Sequence, residues 1–313
     1  MPRKKTKGIS QAAGWLLAFF GALFVSVCAY LILLSLNKNF EEQKELTNKK
    51  YQEKFKTKEE EDKDLSKAEE QKDTVVEESK QTKSGSSYWS YQGETGPTEW
   101  ASLSADYVLC KHGTKQSPID LVEASTTPSL PSIKFNYIKE ELNLLNDGKS
   151  LLIEFGKSKS HIVFKKKKYN LNKLSFHTPS EHHVEGAPHD MELQFHHTSK
   201  EGKHLNLSVM VDAIGSTNKI ISKLWSDLPY GAMSNGPSYR FNPDELLPNK
   251  RRYYTYNGSM TVPPCTENMT WVIVQSPITI SIRQLDKFRT IIKQNTRPLQ
   301  KRNNMKLRIS RSF

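Results

Sequence analysis

The sequence predicts a β-rich α+β domain carried on one membrane-spanning helix and a charged stalk. Three observations carry that prediction. Residues 12–36 contain no charge. Residues 37–83 are dominated by Glu, Lys, Gln and Asp and hold neither proline nor glycine. The remainder is a succession of short alternating apolar runs broken by turn-forming residues.

The uncharged run is 25 residues long, and roughly 20 apolar residues in a helix cross the hydrocarbon core of a bilayer. A cleavable leader has an apolar region of only about 7–15 residues and a small-x-small cleavage site, so the run reads as an uncleaved anchor. Arg3, Lys4, Lys5 and Lys7 precede it without an acid. Positive residues stay cytoplasmic, which keeps the 1–11 tail inside and sends the C-terminal bulk outside. Gly14, Ala18 and Ala22 form a small-xxx-small ladder suited to another membrane helix, or are ordinary small residues of a lone span.

The stalk, residues 37–85, holds 12 Lys and 14 acidic residues up to Lys83. Charged i,i+4 pairs favour helix, yet Phe40, Leu46, Tyr51, Phe55 and Leu65 follow no sustained heptad, so there is little to bury. A solvated, partly helical spacer is expected, with a weak coiled coil as the alternative. Fully helical, it would reach roughly 70 Å at about 1.5 Å per residue.

Ser84, Gly85, Ser86 and Ser87 end that composition, and the domain at 86–313 begins. Alternation predicts strands near 150–155, 161–164, 192–196, 206–211 and 270–275, separated by Asn-Gly, Asn-Asp-Gly and Pro-Pro turns. Helices are expected at 216–228 and 282–294. Tail and stalk removed, 30 basic and 20 acidic residues remain. Dense basic runs stand at Lys165, Lys166, Lys167 and Lys168 and at Lys250, Arg251 and Arg252. Such a field favours polyanions or acidic protein surfaces, or simply keeps loops solvated; nucleic acid is not expected outside a membrane. Cys28 lies in the apolar run as a small apolar residue. Cys110 and Cys265 are a possible pair in an oxidising compartment, though sequence alone leaves their meeting open.

From Trp89 onward an ordered series of motifs runs through nearly the whole domain: Trp89, Tyr91, Gly96, Pro97 and Trp100, then QSPID at 116–120, FHTPSEH at 176–182, FNPDELLP at 241–248, YYTYNGSMTVPPC at 253–265, Trp271 and RPLQ at 297–300. In kind and in order they resemble the α-carbonic anhydrases, the first group matching that family's N-terminal aromatic cluster. The resemblance implies a large twisted, mostly antiparallel sheet with peripheral helices and a conical site on one face. Secreted members often join the cysteines matching Cys110 and Cys265, which implies a disulfide here.

Carbonic anhydrase chemistry needs Zn²⁺ on three neutral imidazoles with an open fourth position, so that bound water ionises near pH 7. The resemblance aligns the three ligand positions with Ser175, His177 and Gln194. A hydroxyl and a carboxamide are poor Zn²⁺ ligands, so zinc and catalysis are expected to be absent. Lys173 replaces a glutamine that supports a ligand, and Lys149 replaces the proton-shuttling histidine of fast members; an ordinary lysine titrates too high to shuttle at pH 7. Glu181 and Thr261, which orient the zinc hydroxide in active members, are present, and Val262 follows Thr261. Two substitutes for the site are conceivable. The Lys173 ammonium could stand between Glu181 and Glu192 in place of the metal's charge. A displaced metal could use His177, His196 and Glu192, with His182, His183 or His197 nearby, although His182 resembles the family's structural histidine and strand alternation turns His197 away.

The leading expectation is a non-catalytic binding or scaffold module with a protein partner in a membrane or envelope complex; inactive members of this family are known. The alternatives are a weak metal-dependent hydratase or esterase and a receptor for anionic glycans. The preferred placement is a bacterial inner membrane with the domain in the periplasm, the alternative a eukaryotic type II protein. Sequons at Asn206, Asn257 and Asn268 fit either, and Asn206 and Asn268 adjoin strand-like sequence.

Overall fold

A computed structural model describes residues 88–310 apart from 127–129, 227 and 230–233. The expected tail, membrane helix and stalk, with Cys28 and the small-residue ladder, lie outside the described residues. Among the described residues no helix is long and apolar enough to cross a membrane.

The strands are β1 (Ser125–Thr126), β2 (Lys134–Asn136), β3 (Glu140–Asn146), β4 (Leu151–Glu154), β5 (His161–Phe164), β6 (Lys167–His177), β7 (His183–Val184), β8 (Ala187–Pro188), β9 (Met191–Ser199), β10 (His204–Asp212), β11 (Ser234–Phe241), β12 (Tyr253–Ser259), β13 (Glu267–Thr279) and β14 (Arg308–Ile309). Twelve of them form one mostly antiparallel sheet, ordered β1-β14-β12-β13-β10-β9-β6-β4-β3-β11, with β5 bridging β2 and β6; β7 and β8 form a separate hairpin. Only β1–β14 and β10–β13 run parallel among these pairs.

Alternation gives the central strands two unlike faces. Leu174 and Phe176 of β6, Leu193 and Phe195 of β9, and Leu205, Leu207 and Val209 of β10 enter one buried apolar cluster. Each such side chain removed from water stabilises the fold by roughly 1.5–3 kcal/mol. Helices α3 (Lys219–Leu224) and α4 (Ile282–Arg289) add Ile221, Leu224, Leu285 and Phe288 to it.

Both helices are shorter than expected because their caps decide the ends. The Asn218 side chain accepts from the Ile220 and Ile221 amides, so α3 starts after it. Ser281 and Gln284 form a reciprocal capping box at the start of α4, which stops at Thr290 ahead of the β-branched pair Ile291 and Ile292.

Cys110, in the short helix α2 (Leu109–His112), is bonded to Cys265, as the resemblance implied. The buried Arg297 guanidinium donates to the Cys110 carbonyl, the Ser117 carbonyl and Gln116 Oε1, and lies over the Trp100 ring at 5.7 Å. Disulfide and arginine together tie the N-terminal aromatic segment to the strand ends beside the site.

Candidate functional site

The face opposite the apolar cluster is polar, and the strand register arranges it in three rows across β6, β9 and β10. They read Lys173–His196–Asn206, Ser175–Gln194–Ser208 and His177–Glu192–Met210. Residues two apart share a face, so these nine positions form one surface. Above it lies a cavity of about 90 Å³ walled by Trp89, Tyr91, Asp147, Lys149, Thr261 and Val262, among others. The Lys149 ammonium sits over the Tyr88 and Trp89 rings at 5.1 and 4.9 Å.

Hydrogen bonds on this surface have a fixed direction. His177 Nδ1 lies 2.9 Å from the Asn295 carbonyl and must donate to it, which in the neutral ring leaves Nε2 as an acceptor. Ser175 Oγ, 3.0 Å from that Nε2, therefore gives its proton to His177. His196 Nε2 is 2.8 Å from the same oxygen. Burial pushes the His196 pKa well down, with the charge of Lys173 and the neighbouring His177 adding to it, so His196 is neutral and donates through Nε2–H. Asn295 is itself pinned, donating to the Phe176 carbonyl at 2.8 Å and accepting from the Thr178 amide at 3.0 Å.

Two fully buried carboxylates lie beneath. Glu192 accepts from the His182 amide at 2.8 Å, Ser208 Oγ at 2.6 Å and Gln194 Nε2 at 3.1 Å, and faces His182 Nδ1 at 3.0 Å. Burial alone would raise its pKa; the charge of His182 and these hydrogen bonds outweigh that and hold it at about 2. Glu181 accepts from Gln194 Nε2 at 2.7 Å and from the Arg297 amide at 3.1 Å. Gln194 Oε1 accepts from Asn206 Nδ2 at 3.1 Å.

The zinc that the family resemblance implies does not fit these donors. Gln194 spends its N–H groups on two carboxylates and its oxygen on Asn206, while the Ser175 hydroxyl is held between two imidazoles. Only His177 offers an imidazole at a family ligand position. Among the described residues no three His, Cys, Asp or Glu side chains are grouped to hold a metal ion.

Two expectations are corrected. Lys173 does not stand between Glu181 and Glu192; the Gln194 amide does. Lys173 belongs to a different row, and a neutral N–H donor avoids the cost of burying an ammonium beside the pair. Glu192 does not join His177 and His196 as a displaced ligand, because its oxygens are engaged by His182, Ser208 and Gln194. His177 and His196 do converge, on Ser175 Oγ.

Elsewhere, His182 is a structural bridge, with Nε2 2.7 Å from the Tyr256 hydroxyl. His197 points away, donating to the Phe195 carbonyl and accepting from the Tyr137 hydroxyl, both at 2.8 Å. The basic runs are partly spent internally. Arg251 pairs bidentately with Asp244 at 2.9 Å, Arg252 donates to the Ser310 carbonyl at 2.7 Å, and Lys167 pairs with Glu201 at 3.2 Å. Lys165, Lys166, Lys168 and Lys250 are exposed. Sequence reasoning passed over Asn206, Ser208 and Asn295 as site residues. Polar residues at alternate positions of the otherwise apolar strand β10 were the available signal for the first two. Nothing local marks Asn295.

Comparison with known proteins gives a consistent set of relatives. Residues 95–311 match the eukaryotic-type carbonic anhydrase family. A carbonic anhydrase of Nostoc sp. is 35% identical over 222 residues, spanning 69% of this chain and 83% of its own. A solved α-carbonic anhydrase from Thermovibrio ammonificans, in complex with the inhibitor sulfanilamide, is similar at a TM-score of 0.69 and 33% identity, over 72% of this chain and 100% of its own. A dioscorin complexed with ascorbate follows at 0.67 and 27%, over 72% and 99%.

Proposed function

The chain belongs to the eukaryotic-type carbonic anhydrase family, and from that premise we propose that it is a member without zinc-hydroxide chemistry, serving as a non-catalytic binding or scaffold module at a membrane. The observation that carries this is the commitment of Gln194: its amide joins Glu181, Glu192 and Asn206, where a zinc site would need a free imidazole. The uncharged run at 12–36 supports the anchor, with the domain on the outer side. The dioscorin complexed with ascorbate is a precedent for a small-molecule complex in a protein of this fold.

One observation favours a second reading, a weak metal-dependent hydratase or esterase: the two imidazoles meeting at Ser175.

Metal analysis and stopped-flow CO₂ hydration on the purified chain separate the two. Wild type should hold no stoichiometric zinc and show no hydration above background. The double substitution Ser175→His/Gln194→His restores three imidazoles and should bind about one zinc per chain, as a structural site of that ligand count does. One tightly held zinc in the wild type would sink the first reading and point to His177 with His196.

A further inference from the structure

Two side chains that line the cavity each carry a group without a partner among the described residues, and they flank the same histidine. Asn206 is 1% exposed, and while its Nδ2 donates to Gln194, its Oδ1 is buried without a donor. Turning the amide over does not mend this. It would set Oδ1 against Gln194 Oε1, and turning Gln194 as well would set that oxygen against Glu181 and Glu192. A buried acceptor left unpaired is costly and calls for a missing donor.

On the other side of His196 stands Lys173. No carboxylate of the described residues lies within ion-pair distance of its ammonium. Burial lowers its pKa, and the more distant Asp147 and Glu154 pull it back. Lys173 and Asn206 line the same cavity, where the other charged groups are Lys149 and Asp147. Beneath the lining, Glu181 and Glu192 are held by the Gln194 amide, which leaves Lys173 as the cation without a carboxylate of its own.

We propose that this cavity is a metal-free site for a small organic monoanion bearing a neutral O–H or N–H donor beside its carboxylate. The carboxylate pairs with Lys173, and the donor satisfies Asn206 Oδ1. An ammonium-bearing ligand is disfavoured beside Lys173, and one unpaired ammonium matches a single negative charge. About 90 Å³ holds several heavy atoms, since one water needs roughly 10–15 Å³ by the same measure. A wider cleft of about 400 Å³ adjoins the cavity and shares Lys173, His196, Met260 and Met269 with it. Binding includes a local shift of the side chains that now seal Oδ1. The site rests on the reading that no zinc occupies the cone, because a metal there would take the anion itself.

The test is a ligand-observed NMR titration of the full chain in mild detergent with glycolate, acetate and glycolamide, each with and without EDTA. Glycolate has both groups, acetate lacks the donor and glycolamide lacks the charge. Glycolate should bind roughly tenfold tighter than either, the effect of one hydrogen bond or one charge contact. Lys173→Met should weaken glycolate and acetate by roughly tenfold and leave glycolamide unchanged. Asn206→Leu should reduce glycolate to the level of acetate. Should that variant not fold, the three probes on wild type and Lys173→Met still decide. Equal affinities for glycolate and acetate, or no saturable binding with or without EDTA, would overturn the site alone. Binding that EDTA abolishes would instead overturn the metal-free reading on which it rests.

Discussion

The two faces of strand β9 are built on different principles. Leu193 and Phe195 face an apolar cluster in which each contact is weak, non-directional and replaceable by another of similar volume. Glu192, Gln194 and His196 face a network of directional hydrogen bonds, in which a single amide serves two carboxylates. Damage to the first face stays local and depends on the volume lost. Damage to the second leaves buried carboxylates short of a donor, so its cost depends on pH.

Gln194→Leu makes the sharpest break in that comparison. The side chains are close in volume, but Glu181 and Glu192 both lose a donor. A loss of about 3–5 kcal/mol at pH 7 is expected, from two hydrogen bonds to charged groups worth roughly 1.5–3 kcal/mol each. Leu207→Ala on the apolar face should cost a similar amount, roughly 2–5 kcal/mol, from the cavity alone. Denaturant unfolding across pH separates them. The deficit of Gln194→Leu should shrink as the medium becomes acid enough to protonate the carboxylates, while that of Leu207→Ala stays flat. Two flat deficits would mean that Gln194 is only a space-filler.

A second, smaller effect comes from His197, on the apolar side of the same strand. Burial lowers its pKa from 6.5 to about 3, with the hydrogen bonds to the Phe195 and Leu205 backbone opposing it only in part. The folded state thus favours the neutral ring. Its contribution is complete above about pH 6.5 and is lost as pH falls toward 3, because the unfolded chain binds a proton that the native chain does not. Between pH 6.5 and about 4.5 the loss should be roughly 1–3 kcal/mol. His197→Phe should flatten the stability profile in that window by up to one proton, even though it lowers stability at pH 7 by leaving the Tyr137 hydroxyl unmatched. An unchanged slope would place the titration elsewhere.

The same contrast explains what could be read in advance. Strand periods and family motifs marked the sheet well, and the expected strand at 161–164 coincides with β5, because apolar alternation is a local property. Helix ends were less legible, since Asn218 and Ser281 act as caps only once their contacts form. At the site, alternation correctly put Lys173, Ser175 and His177 on one face. It could not say which row meets which carboxylate, since that depends on the register of three strands. The proton direction at Ser175 is set by Asn295, remote in the chain, and no local pattern carries that. Lys173 was misplaced for this reason, and Asn206 was noticed only as a sequon.

The smallest effect lies at the basic hairpin between β5 and β6. Lys165 and Lys166 occupy its two central turn positions with φ of 50° and 62°. Such turns match the strand twist but prefer Asn and Gly, because a Cβ in the left-handed region costs roughly 1–2 kcal/mol per residue. Neither lysine is buried, so the strain is offset by no packing against the core; Lys165 only lies over the Phe164 ring at 5.2 Å. Lys165→Asn/Lys166→Gly should therefore raise stability by about 1 kcal/mol, visible as a small increase in Tm. Retention of function in that variant would make the turn lysines mere solvated loop. A stabler protein that loses salt-sensitive binding to an anionic polymer would mean that the hairpin keeps its strained lysines for that contact.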